Sequence, residues 1–164
     1  MQVGSGLAFE LPAGWEASID AGDGAWRSPD TVDEPLPITP QPDGSIRRLV
    51  AHLANFPLPA GRGDYGDGAI ETMRSGDILI AMVEFDPASV DQPLFAADGV
   101  PTELRAADFN PDVVHVPQFG ASGAQRFFSA AGRPFALYVV VGSHLDRGDD
   151  IPAVNEVLGS MVLT

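Results

Sequence analysis

The stretch GSHLDRGDD, residues 142–150, sets a serine, a histidine and an aspartate close together: Ser143, His144 and Asp146. Those are the side chains of a nucleophile, a general base and the carboxylate that orients the base. The spacing works against a relay. Groups adjacent on one strand end rarely meet in that geometry, and no Gly-x-Ser-x-Gly elbow lifts a serine into an exposed turn. The set stands as an alternative reading, a small hydrolase or metal-dependent enzyme. The other two histidines are His52, in VAHLA, and His115, in DVVHV. A three-histidine zinc site requires all three to converge from separate strands.

A second candidate is GRGDYGDGAIETM, residues 61–73, with four glycines, Asp64, Tyr65 and Asp67. Two nearby carboxylates invite a calcium reading. A calcium loop of the EF-hand kind needs oxygen ligands at alternate positions and a closing glutamate. Counted from Asp64, the third residue is Gly66, the fifth Gly68 and the twelfth Ser75, so the pattern fails. A phosphate cradle needs Lys-Ser/Thr behind its glycines. The chain has no lysine, and acids stand where the anion would lie. The loop therefore reads as a polar connection, with Asp67 capping the short helix that follows. No metal site and no cofactor is expected.

Asp64, Tyr65, Asp67, His144 and Trp26 remain candidates for contact with a partner. Trp26, in DGAWRSPD, is flanked by polar loop residues, whereas Trp15 follows a turn into a strand and is expected in the core. Arg-Gly-Asp occurs at 62–64 and again at 147–149 and resembles the integrin-recognition tripeptide. Adhesion would need a protruding loop that holds guanidinium and carboxylate apart. In this composition the same three residues are ordinary loop residues.

Composition narrows the partners. The 164 residues are 45% hydrophobic, enough for one domain, 1–164, with one core. The absence of cysteine excludes disulfides, thiolate metal sites and cysteine nucleophiles. Net charge is −14, from 23 acidic groups against nine arginines. Such a chain repels nucleic acid and anionic membrane surfaces, and the adjacent pair Arg47–Arg48 is no patch. The opening MQVGSGLAFELPAGW has no basic start and no long apolar core, so it does not read as a signal peptide. No window approaches the ~18 apolar residues of a membrane span. The expected partner is another protein and the default compartment the cytoplasm; nothing sets an oligomeric state.

Elements must hold these groups in place. LAFELPAGWEASI reads as a hairpin: Leu7, Phe9 and Leu11 alternate in one arm, Trp15, Ala17 and Ile19 in the other, around the turn PAG. Residues 20–45 are an irregular, proline-rich excursion. IRRLVAHLANF is a strand with Leu49, Ala51 and Leu53 on one face. DILIAMVEF is apolar on both faces, as a central strand is. Residues 86–122 are broken by prolines, with TELRAADF as a short helical turn and DVVHV as a short strand. GAQRFFSAAGRPFALYVVVGS is a hairpin turning at AAGRP, with Gly132 supplying the unusual dihedral.

DDIPAVNEVLGSMVL reads as a helix capped by Asp149 or Asp150, with Pro152 in its first turn. Val154, Val157, Leu158 and Met161 face inward, and Asn155 and Glu156 outward. Two strands apolar on both faces need two covers. The fold class is α+β: a mostly antiparallel sheet covered by a C-terminal helix and by short helices and long Pro-rich loops.

The opening AFELPAGWEA and the closing GRPFALYVVVG…IPAVNEVLGSMVL resemble PsbP/Mog1-like α+β domains. The likeness covers the first twenty and last thirty-five residues. It implies a non-enzymatic accessory or binding role and supplies no catalytic residues. The expectation is thus an accessory or binding domain. The alternatives are the enzyme at Ser143, His144 and Asp146, and a structural or assembly protein that self-associates through strand edges.

The charge excess carries its own consequence. Self-repulsion destabilises the compact chain at low ionic strength. The thermal unfolding midpoint at neutral pH is expected to rise as monovalent salt is added. A flat or falling trend in a salt series of melting curves would show that the acids are already paired.

Overall fold

A strand that is apolar on both faces has to be covered twice. In the computed structural model, which describes residues 1–22, 48–115 and 118–164, it is. The strands are β1 (Gln2–Gly4), β2 (Leu7–Phe9), β3 (Glu16–Gly22), β4 (Arg48–Ala54), β5 (Ile78–Glu84), β6 (Ser122–Ala130), β7 (Arg133–Val141) and β8 (Val162–Leu163). The helix α1 (Arg147–Ser160) lies between β7 and β8, and single 3-10 turns punctuate residues 70–113. Strand pairing among the described residues is antiparallel. A five-stranded sheet runs in the order β3-β4-β5-β7-β6 and a three-stranded one in the order β1-β2-β8. The α+β expectation holds.

Directly paired residues share a face, so the register sorts the core. Leu53, Ile80, Val139 and Ala124 form one rung, packed with Leu7, Phe9 and the α1 residues Val154, Val157 and Leu158. One residue along, His52, Ala81, Tyr138 and Gln125 form a rung on the opposite face. That face is covered by Phe56, Ile70 and Met73 from the connection between β4 and β5, with Val113 and Val114.

Several expectations are corrected. The opening segment is not a hairpin: β2 pairs with β1 and β8, and β3 pairs with β4. The PAG turn does form, with Trp15 N–H donating to Pro12 O at 3.3 Å. It passes the chain between sheets, because the fully buried Leu7 and Phe9 complete the helix-side core. The described part of DVVHV, residues 112–115, is not a strand; residues 111–113 make a 3-10 turn beside Gly123 of β6.

The helix starts at Arg147, so Asp149 and Asp150 lie in its first turn and Pro152 lies inside it. It starts early because Ser143 closes a turn around Asp146. The serine hydroxyl donates to Asp146 Oδ2 at 2.9 Å and accepts Asp146 N–H at 3.2 Å. Glu156 is exposed, but Asn155 is half-buried. Its amide accepts Leu104 N–H at 2.8 Å and donates to Leu104 O at 3.0 Å, holding the segment before residue 105 on the helix.

The β6–β7 hairpin forms with Ala130 opposite Arg133. Both intervening residues have positive φ, 52° at Ala131 and 73° at Gly132, the signature of a type I′ turn. The outer edge of β6 is occupied near both ends. Asn110 exchanges hydrogen bonds with Gly123 at 2.8 and 3.0 Å, and Ser129 N–H donates to Ala97 O at 2.7 Å. Covered edges resist strand-edge self-association.

One arginine joins the sheets, anchored by an ion pair within the larger one. Arg133 Nε and Nη2 donate to Glu84 Oε1 and Oε2, each at 2.8 Å. Glu84 Oε2 also accepts Leu49 N–H at 2.9 Å, while Arg133 donates to Thr164 O and Ser5 O at 3.1 and 3.2 Å. Glu84 is 5% exposed, so removing its partner strands a buried carboxylate. Arg133→Ala is expected to cost about 3–5 kcal/mol in a denaturant titration, whereas Glu156→Ala stays within about 0.5. Equal effects would show that the pair is ordinary surface decoration.

Candidate functional site

The turns at one end of the large sheet gather together. There β4 leaves through residues 55–59, β5 enters from 74–77, β6 enters from 118–121 and β7 leaves through 142–146. They are tied to one another. Asn55 Nδ2 donates to Gly76 O at 2.8 Å, Gly142 N–H to Asp77 O at 2.9 Å and His144 N–H to Gly120 O at 2.6 Å. Ser75 Oγ donates to Asp146 Oδ2 at 3.1 Å. Only glycine suits position 142, since a Cβ there would lie 1.8 Å from Arg74 O.

Two features open at this end. A groove of about 520 Å³ is lined by residues 56–59 and by Thr72, Arg74 and Asp77. Phe119 is fully exposed and Leu145 is 90% exposed. Each is the chain neighbour of one partner in the His144–Gly120 hydrogen bond. Large apolar side chains are thus held in water by turns fixed to the sheet. Asp146 and Asp149 are exposed nearby in the chain, so the surroundings are acidic.

The Ser143 and Asp146 side chains meet, but the His144 ring turns away from both. Asp146 accepts the hydroxyls of Ser143 and Ser75, while His144 Nδ1 lies 2.9 Å from Ser122 Oγ. Ser122 is fully buried, where no substrate carbonyl can approach it. Among the described residues no contact joins His144 to Asp146. The three histidines do not converge: His52 meets Asp64 and Arg62, His115 meets Tyr65 and Tyr138, and His144 meets Ser122. Among the described residues no group of three or more His, Asp or Glu side chains is placed to hold a metal ion.

The glycine-rich loop is packed down. At Gly66 φ is +88°, and a Cβ would lie 2.3 Å from Leu79 Cδ2. Its side chains are engaged. The Asp64 carboxylate pairs with Arg48. Tyr65 is half-buried, its ring centroid 4.9 Å from His115 and 5.9 Å from Tyr138. Burial, assisted by the Asp64 charge, pushes its phenol up to about 12. Asp67 does not cap the short helix. Its backbone carbonyl accepts Gly63 N–H at 2.9 Å, and Glu71 supplies the carboxylate, accepting Gly68 N–H at 2.6 Å. Glu71 reaches back across the tight turn that Gly66 and Gly68 allow.

Beneath the loop His52 is 2% exposed. Its Nε2 lies 2.9 Å from the carbonyl oxygen of Asp64, so Nε2 carries the proton and donates it. Nδ1 is then an acceptor and receives Arg62 Nε–H at 3.4 Å. Burial holds the imidazole below its ordinary 6.5, and the Arg62 charge adds to this; the Asp64 carbonyl, Asp20 and the Asp64 carboxylate oppose. Arg62 Nη1 also donates to Pro59 O at 2.6 Å.

Neither Arg-Gly-Asp tripeptide extends a free guanidinium, since Arg147 donates to Ala106 O and His144 O. Trp15 packs partly buried against the core, and Trp26 lies outside the described residues. Sequence reasoning overlooked Phe119 and Leu145. The available signal was a lone large apolar residue inside a polar turn, in PQFGAS and GSHLDR. Comparison with protein families, with curated proteins and with solved structures returns no match.

Asp150, in the first turn of α1, is 7% exposed, and its Oδ2 has no hydrogen-bond partner among the described residues. Burial raises its pKa above 3.8, and Asp149, Asp146 and Asp77 add repulsion. The unfolded chain therefore ionises first, and stability falls as pH rises from 3.8 through the folded pKa. Asp150→Asn is expected to raise the unfolding midpoint at about pH 7, with the gain fading by about pH 3. A variant less stable than the parent at neutral pH would show that this carboxylate has a stabilising partner.

Proposed function

We propose that this chain is a non-enzymatic binding domain that docks another protein on the loop end of its large sheet. The observation that carries the reading is the exposure of Phe119 and Leu145 on two turns joined by a hydrogen bond, at the end where the groove opens. Exposed apolar side chains cost a free protein solubility and gain value only when covered. Anchors of this kind dominate protein contacts when they enter a partner's pocket. The surrounding acids and the net charge of −14 favour a partner segment that brings Lys or Arg beside its apolar residues. The resemblance to PsbP/Mog1-like domains points to the same class of role. The divergence of His144 and Asp146 and the burial of Ser122 weigh against the hydrolase reading.

Selection of peptides from a random library on the intact chain tests this. Enriched sequences are expected to combine an apolar anchor with basic residues. Their affinity is expected to fall about tenfold or more in a Phe119→Ser, Leu145→Ser double variant whose melting temperature is unchanged. Binding should also weaken with salt. Peptides that bind parent and variant equally would overturn the assignment of this surface.

A further inference from the structure

We infer that His52 is a proton-operated latch that acts through Arg62 on Pro59, a residue of the groove wall. This rests on the docking reading only for its consequence; the latch itself is argued from contacts inside the domain.

The mechanical chain is short. His52 Nδ1 accepts Arg62 Nε–H at 3.4 Å, Arg62 Nη1 donates to Pro59 O at 2.6 Å, and Pro59 lines the groove. On the other side of the ring, Nε2–H holds the Asp64 carbonyl at 2.9 Å. One imidazole thus fixes the connection between β4 and β5 at two places. The Arg62 contact requires the neutral ring, whereas Nε2–H donates to Asp64 O in either state. A proton on Nδ1 replaces the acceptor that Arg62 uses with a donor, and it faces one cation with another.

Little nearby absorbs the new charge. From β3 comes Asp20, which is exposed, and beside His52 on its own strand face lies Arg48. The loop brings Arg62 and Asp64, whose carboxylate is already paired with Arg48. On this face β5 offers Leu79, Ala81 and Val83, which do not titrate, and β7 offers Tyr138, whose phenol is held neutral by a raised pKa. The imidazolium is relieved by movement. Arg62 leaves, Pro59 loses its tether, and the loop loosens on the Pro59–Arg62 side while Asp64 O stays held.

The sign follows from the lowered pKa. Above 6.5 the ring is neutral in both folded and unfolded chains and the latch is closed. As pH falls below 6.5 the open form takes the proton first, so closure weakens until the closed form is protonated too.

Hydrogen exchange of the intact chain, read by mass spectrometry over residues 57–69 and corrected for the intrinsic pH dependence, tests the latch. Between about pH 7.5 and about pH 4.5 the parent is expected to lose protection there by roughly tenfold or more, while α1 and β7 stay protected. His52→Gln keeps an amide N–H for Asp64 O and takes no proton, so its loop is expected to stay protected at both pH values. Equal loss in parent and variant overturns the proposal. If the variant does not fold, ring-nitrogen NMR of the parent decides. Nδ1 protonation should coincide with loss of loop protection, and a loop that stays protected after it overturns the latch. Neither readout uses a partner, so failure of the latch and failure of docking are told apart.

Discussion

The architecture depends on a guanidinium–carboxylate pair whose carboxylate is buried. Without Arg133 and Glu84, the three-stranded sheet would be joined to the five-stranded one mainly by packing. With them, the two-pronged contact of one arginine reaches β5, and through Glu84 the Leu49 amide of β4, while its remaining donors hold carbonyls at Ser5 and Thr164. The planar fork of arginine makes this possible; a lysine has neither the geometry nor the donors. The same carboxylate satisfies Leu49 N–H just beyond the last paired residue of the β4–β5 ladder. An acidic chain with nine arginines thus spends one of them on joining its layers.

That junction lies at the end of the large sheet opposite the groove. Fixed there, the sheet presents the other end as a platform. Its turns bond to one another through backbone groups and short polar side chains, and among the described residues Phe119 and Leu145 stay exposed. This platform is the surface that the proposed docking would use. Its polar side chains are largely occupied: Asp146 by two serines, His144 by a buried serine, Arg147 by two carbonyls. Chemistry needs convergent groups with unfilled valences around a cavity. The exposed Phe119 and Leu145 and the acidic surroundings are the features on which the docking proposal rests.

The second sheet face shows a different use of polar groups. His52, Arg62 and Asp64 lie under a loop that the sequence presents as open and glycine-rich, and they act as internal fasteners. The glycines that suggested a ligand cradle allow the loop to lie flat on Leu79. A neutral histidine is an economical fastener because one ring offers a donor and an acceptor on opposite sides. The same economy makes it sensitive to protons.

The sequence by itself determined the local matters. Alternation in VAHLA, the doubly apolar DILIAMVEF and FALYVVV, and the glycine at 132 marked β4, β5, β7 and the β6–β7 turn, because burial period and backbone sterics are properties of a few adjacent residues. The helix was legible from Val154, Val157 and Leu158, and the need for cover on both sheet faces followed from the central strands. Tertiary structure decided what depends on distant residues. It sent β2 to β8 rather than to β3, turned Asn155 onto Leu104, gave His144 to Ser122 instead of Asp146, and left Phe119 and Leu145 uncovered. Each of these outcomes depends on which distant partner the fold brings to an unsatisfied group or an apolar surface. That partner stands 22 positions from His144, 51 from Asn155 and 154 from Ala8 in the pairing with Val162, separations over which no local period carries information.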